Sequence, residues 1–102
     1  MERYRYDVIA EMPLGTRQGA LTLDIQDGRC SGVLELLRFC NMVSGRITGD
    51  GQCTLAGELK TLLHSRPFTA EGSCGAERAE LTLQCGRVRC LLHGKRTEER
   101  HD

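Results

Sequence analysis

Six cysteines, three histidines and a set of mid-strand glycines are the features of this 102-residue chain on which chemistry could be built. Cys30, Cys53, Cys74, Cys85 and Cys90 alternate in phase with apolar residues, which places them on an inner face, while Cys40 falls at a turn. A buried free cysteine behaves as a small apolar residue. The sharper readings are a metal site, a disulfide or a reactive thiol. Zinc sites show close cysteine pairs such as C-x-x-C, and this sequence has none. Cys53 and Cys74 are diagonal neighbours on adjacent strands, with Cys30 near the same end, so a three-thiolate cluster is the metal candidate. Arg87 and Arg89 flank Cys85 and Cys90, a pattern that lowers a thiol pKa when the charges face the sulfur; here they point outward and the thiols inward. His64, His93 and His101 fall in a turn, on an outward face and in the tail. They do not converge, and they read as solvated side chains. Without a nucleophile, base and orienting group in reach of one another, the chain reads as noncatalytic, with a thiol- or metal-dependent enzyme as the remote alternative.

The elements that must hold these residues are all strands. Tyr4, Tyr6, Val8, Ala10 and Met12 alternate with polar residues, as do Leu21, Leu23 and Ile25, and such period-2 patterning marks half-buried strands. Asp27-Gly28 is a two-residue hairpin signal. Further strands are expected over about 29–37, 42–48, 53–63, 67–74, 79–85 and 88–95, giving an antiparallel up-and-down meander of about eight short strands. Open edges on such a sheet invite aggregation, so a small β-barrel or a strongly bent sheet is expected. Residues 1–95 form one domain, and 96–102 form a charged flexible tail. Pro13, Gly15 and Arg17 belong to a longer loop between the first two strands, a candidate lid over a barrel mouth.

Centring each hairpin on its turn puts Leu23 opposite Gly32, Gly32 opposite Gly45, Gly45 opposite Gly57 and Gly57 opposite Gly72. Four inward glycines then form one row across four strands. Each costs roughly 0.5–1 kcal/mol relative to alanine in a strand interior, so the row needs a reason. Glycine lets a sheet bend sharply and close. Alternatively the row floors a groove, with Gly32, Gly45, Gly57, Gly72, Leu34, Leu55 and Phe68 as ligand-contacting candidates. On the outer face Glu58 is expected opposite Glu71, and Val33, Leu37 and Met42 gather near the third turn as a candidate interface.

Composition excludes several classes. Fourteen basic residues balance fourteen acidic ones, whereas nucleic-acid binders carry a basic face. Two tyrosines, two phenylalanines and no tryptophan are too few for a base-stacking platform. No stretch reaches membrane-span length, and the charged start MERYRYDVIAEM does not read as a signal peptide. The cytoplasm is therefore the expected compartment, where thiols stay reduced.

The words SGVL at 31–34, SGRI at 44–47 and AGEL at 56–59 resemble those of small up-and-down barrels of the lipocalin, fatty-acid-binding and avidin kind. The run MPLGTRQGALTLDIQDGRCSGVL resembles the opening of short bacterial all-β proteins without an assigned activity. The resemblance covers most of residues 4–95 and implies a barrel. It implies no ligand, because the G-x-W signature and the pocket tryptophans of those families are absent. The expected function is binding of a small apolar or amphipathic ligand without a cofactor. The alternative is a homodimeric interaction or accessory module.

Overall fold

A computed structural model describes residues 2–13, 15–36, 38–60 and 65–97. Its eight strands are β1 (Glu2–Met12), β2 (Gly15–Gln26), β3 (Arg29–Leu36), β4 (Phe39–Ile47), β5 (Gln52–Lys60), β6 (Ser65–Cys74), β7 (Arg78–Cys85) and β8 (Val88–Arg96). Each pairs antiparallel with the next, and β1 pairs with β8 to close the barrel. Among the described residues no helix is long and apolar enough to cross a membrane.

The alternation in the sequence is the reason for the two faces. Tyr6, Val8, Ala10, Leu21, Leu23, Leu34, Val43, Leu55, Phe68, Leu81, Leu83 and Leu92 all point into the lumen and are buried. A barrel of eight strands has an interior that side chains can fill, and here they fill it. Tyr6 reaches far across: its hydroxyl donates to the Gly75 carbonyl at 2.7 Å, beyond the end of β6. Burial raises its phenol pKa well above the ordinary value.

The turns set the register. Asp27 and Gly28 both have positive φ, as a type I′ turn requires, and Leu23 does sit opposite Gly32. The next three hairpins differ from expectation. Leu36 pairs with Phe39, so the hairpin is centred between those two residues rather than on Arg38-Phe39, and Gly32 faces Val43. Gly57 also faces Val43, from the other side, and Gly45 faces Cys30 and Leu55. Lys60 pairs with Ser65, so Gly57 faces Phe68 and Gly72 faces Cys53. The glycines are therefore staggered along the barrel rather than aligned in a row. The same shift puts Glu58 opposite Pro67 and Glu71 opposite Thr54, so the expected carboxylate pair does not form. Instead Glu58 accepts a hydrogen bond from the Ser65 hydroxyl at 3.0 Å.

Two segments expected to be loose are paired. Gly15, Thr16 and Arg17 belong to β2, opposite Met12, Glu11 and Ala10, and Pro13 stands in the turn directly after β1, so strand pairing replaces the longer lid-like loop. Arg96 ends β8 rather than opening a tail. Its backbone N–H donates to Glu77, its guanidinium donates to the Ala76 carbonyl, and the Thr97 N–H donates to Arg5. The remaining tail, 98–102, lies outside the described residues, as does His64. Cys40 stands inside β4 on the outer face, not at a turn.

Asn41 is a polar residue in the core that patterning alone does not reveal. It is fully buried in phase with Val43, and every polar atom of its amide has a partner. The amide nitrogen donates to the carbonyls of Leu34 at 3.0 Å and Phe39 at 3.3 Å, and the amide oxygen accepts from the Lys60 N–H at 2.9 Å. It thus ties the β3–β4 turn to the end of β5. Replacing Asn41 with Leu keeps the branched shape, in a somewhat larger side chain, but strands the Lys60 N–H. We expect a loss of about 1–3 kcal/mol in unfolding free energy, read by urea denaturation; an unchanged midpoint would remove Asn41 from the forces that hold this end.

Candidate functional site

The expected groove over the glycines is closed. Leu34, Leu55 and Phe68 are buried in the packed core. A β-carbon built on Gly32 would lie 1.8 Å from the Thr22 carbonyl oxygen, and one on Gly45 would lie 1.8 Å from that of Thr54. At Gly57 and Gly72 the neighbouring carbonyl oxygens would lie 2.4 and 1.9 Å away. These positions are bare because an adjacent strand's backbone presses against them, which is the requirement of a tightly coiled sheet.

The staggered glycines also decide where the thiols meet. Cys30 on β3 is opposite Gly45 on β4, and Cys53 on β5 is opposite Gly72 on β6. With no side chain at either glycine, the Cys30, Cys53 and Cys74 sulfurs come together at one end of the lumen. The Cys53 thiol is near enough to those of Cys74 and Cys30 for each to perturb the others' titration. Burial pushes the Cys30 thiol up to about 12. Cys53 is raised by its hydrogen bond to Cys74 and by burial, while the same hydrogen bond lowers Cys74 against the opposing effect of burial. All six cysteines are free thiols. The three sulfurs form a chain of contacts rather than a coordination shell: among the described residues, no group of three or more histidine, cysteine or carboxylate side chains is arranged to hold a metal ion. At the opposite end Cys85 and Cys90 are buried and Arg87 and Arg89 are exposed.

Above the thiols the barrel opens. A depression of about 390 Å³ is lined by Tyr4, Ile25, Ile47, Cys74, Glu2 and Asp50, among others. Ile25, Ile47 and Tyr4 are half-buried, pack on the core and supply the apolar part of a lining that is about half polar. Tyr4 stands edge-on to Tyr6, with ring centroids 6.3 Å apart, and the Arg96 guanidinium lies 4.4 Å from the centre of the Tyr4 ring. The rim is acidic: Glu2 accepts from the Tyr4 hydroxyl at 2.9 Å, and the Thr48 hydroxyl bonds the Asp50 carboxylate.

His93 differs from its expected solvated state. On the outer face its Nδ1 engages Glu80 of β7 and its Nε2 engages Glu11 of β1, so three strands are joined across the closing seam. The signal was hidden because Glu11 and His93 meet only through β1–β8 pairing. Both ring nitrogens are occupied by carboxylates, so the imidazole has no free nitrogen for a metal or a substrate. The hydrogen bonds to Glu11 and then Glu80 raise its pKa above the ordinary value.

Two predictions follow from this geometry. In an open strand Gly45→Ala would stabilise by roughly 0.5–1 kcal/mol; against the Thr54 carbonyl we expect the opposite sign, a loss of about 1–3 kcal/mol by urea unfolding. For His93, a raised folded-state pKa stabilises the barrel below the unfolded histidine pKa, and that contribution is lost as pH rises through the folded value. Thermal melts across this window should show a fall in stability with rising pH that His93→Gln flattens; a parallel fall in the variant would assign the effect to other groups. No family model matches this chain, and neither a curated protein nor a solved structure matches it, so its own residues carry the functional reading.

Proposed function

We propose that this protein is a noncatalytic binding module whose barrel mouth, rather than its lumen, takes a small amphipathic ligand. The observation that carries the reading is the depression of about 390 Å³ at the Tyr4 end. Small-molecule sites are concave, mostly apolar and furnished with a few placed polar groups, and range over about 300–1,000 Å³. Tyr4, Ile25 and Ile47 offer the apolar surface, and Glu2 and Asp50 accept hydrogen bonds from a polar or cationic end of the ligand. An up-and-down barrel of eight strands suits the role, as lipocalin-like barrels do. The packed lumen favours the mouth over the interior. We read the protein as working in the cytoplasm, where its free thiols stay reduced.

A second reading is a homodimer through the outer face of β3 and β4. Met42 is 74 % exposed and sits directly opposite Val33. Leu37, expected in the same patch, lies outside the described residues.

Native mass spectrometry of the protein isolated from its own cells under reducing conditions separates these readings. The expected result is a monomer with a small-molecule adduct that Ile47→Glu abolishes while the circular dichroism spectrum is kept. A bare monomer, or an adduct that survives Ile47→Glu, overturns mouth binding. A bare dimer dispersed by Met42→Lys replaces it with the interaction reading.

A further inference from the structure

On the outer face, two arginines are held side by side without a counter-ion. The Ile47 N–H donates to the Gly28 carbonyl at 2.9 Å, so the Asp27-Gly28 turn is tied to the end of β4. Arg29 of β3 then stands directly opposite Arg46 of β4, and both are exposed. Directly opposed residues have β-carbons about 4.5–5.5 Å apart, and like charges there are unfavourable. The flanking strands give no relief: Arg29 faces Gln26 on β2, and Arg46 faces Thr54 on β5. Among the described residues neither guanidinium has a hydrogen-bonded or ion-paired partner. A second like-charged pair, Arg78 opposite Lys95, is built differently, because Asp7 of β1 lies directly across from Lys95.

The next outward pair on the same two strands is Ser31 opposite Ser44. Arg29, Arg46, Ser31 and Ser44 line one depression of about 890 Å³ together with Asp24 and Asp27, among others. The Asp24 carboxylate is engaged by Arg3, whose Nε lies 2.7 Å from it. Two guanidiniums therefore face one remaining carboxylate, Asp27, and the depression carries a surplus of positive charge. We propose that Arg29, Arg46 and the two serine hydroxyls bind a phosphate group, either the free ion or the phosphate of a small monoester. The planar fork of a guanidinium matches phosphate oxygens, and hydroxyls donate to them as well. A carboxylate has two oxygens, which one guanidinium satisfies. A phosphate dianion has enough acceptors to span both arginines and offsets the repulsion between them. The patch admits a single phosphate: Gln26 and Thr54 on its flanks are neutral, and the next outward pair, Val33 and Met42, is apolar. A nucleic-acid backbone would need a basic stripe. The site lies on the outer side of the barrel wall and does not rest on the mouth holding a ligand.

The test titrates the reduced full-length protein with sodium phosphate, and with sodium chloride at matched ionic strength, while amide chemical shifts are followed by nuclear magnetic resonance. Phosphate should give saturable shifts centred on Arg29, Ser31, Ser44 and Arg46, and chloride should not. Arg29→Gln and Arg46→Gln should each weaken phosphate binding about tenfold or more, because each removes a charge-assisted contact. Arg78→Gln should leave binding unchanged. The first two variants should also melt higher than wild type in phosphate-free buffer, since the repulsion is gone, and lose the rise in melting temperature that phosphate gives the wild type. A parallel titration with phenyl phosphate separates the sources: tighter binding than inorganic phosphate assigns the site to an esterified phosphate, and equal or weaker binding assigns it to the free ion. Shifts that never saturate, that chloride reproduces, or that survive both glutamine variants would each overturn the proposal.

Discussion

Closure between β1 and β8 is the constraint on which the rest of the molecule depends. Eight short strands can form a ring only if the sheet coils tightly, and tight coiling brings neighbouring backbones onto the inner face at particular points. Glycines 32, 45, 57 and 72 occupy such points. Removing their side chains has two effects at once. It allows the approach of the adjacent carbonyl, and it clears the inner surface beside Cys30 and Cys53. The thiol cluster is thus a product of the same geometry that closes the barrel. Its members are contributed by β3, β5 and β6 and do not meet in any single hairpin.

The two ends of the lumen are built differently. Near the β3–β4 turn, Asn41 seals the interior with hydrogen bonds to backbone groups, each one satisfied. At the other end, Tyr4, Ile25 and Ile47 are only half-buried, and thiols replace larger apolar side chains beneath them. Fully satisfied buried amides fix a single arrangement, because any slip leaves a polar group without a partner. Sulfur and half-buried aliphatic groups impose no such penalty.

Much of this was legible in the sequence because strand faces depend only on parity. Cys30, Leu34, Val43, Cys53, Leu55, Phe68 and Cys74 were placed on the inner face by alternation, and all are buried. Register is a stricter demand. Asp27-Gly28 announces its own turn type, and the β2–β3 pairing read from it was correct. No comparable signal marks the β3–β4 hairpin or the connection between β5 and β6. A turn centre displaced by whole residues shifts the pairing by an even number, here two or four, which preserves each face while moving each partner. That is why the glycines were assigned to the right side and the wrong row. Contacts across the β1–β8 seam have no turn at all to mark them, so the Glu11 half of the Glu11–His93–Glu80 bridge had no local signal, whereas Glu80 faces His93 directly across the β7–β8 hairpin, whose short turn at Gly86-Arg87 marks that pairing.

Every strand pairing except the seam joins neighbours in the chain. This divides assembly into two kinds of event with different entropic demands. Hairpins between consecutive strands close short loops and can form independently on microsecond timescales. The seam must bring together segments separated by almost the whole polypeptide, and it can do so only after the intervening sheet has coiled enough for its edges to meet. The last step of folding and the first step of opening are therefore expected at the same line. His93 stands on that line, bonded to a carboxylate on either side of itself. Its protonation acts less on the finished core than on how often the ring breathes.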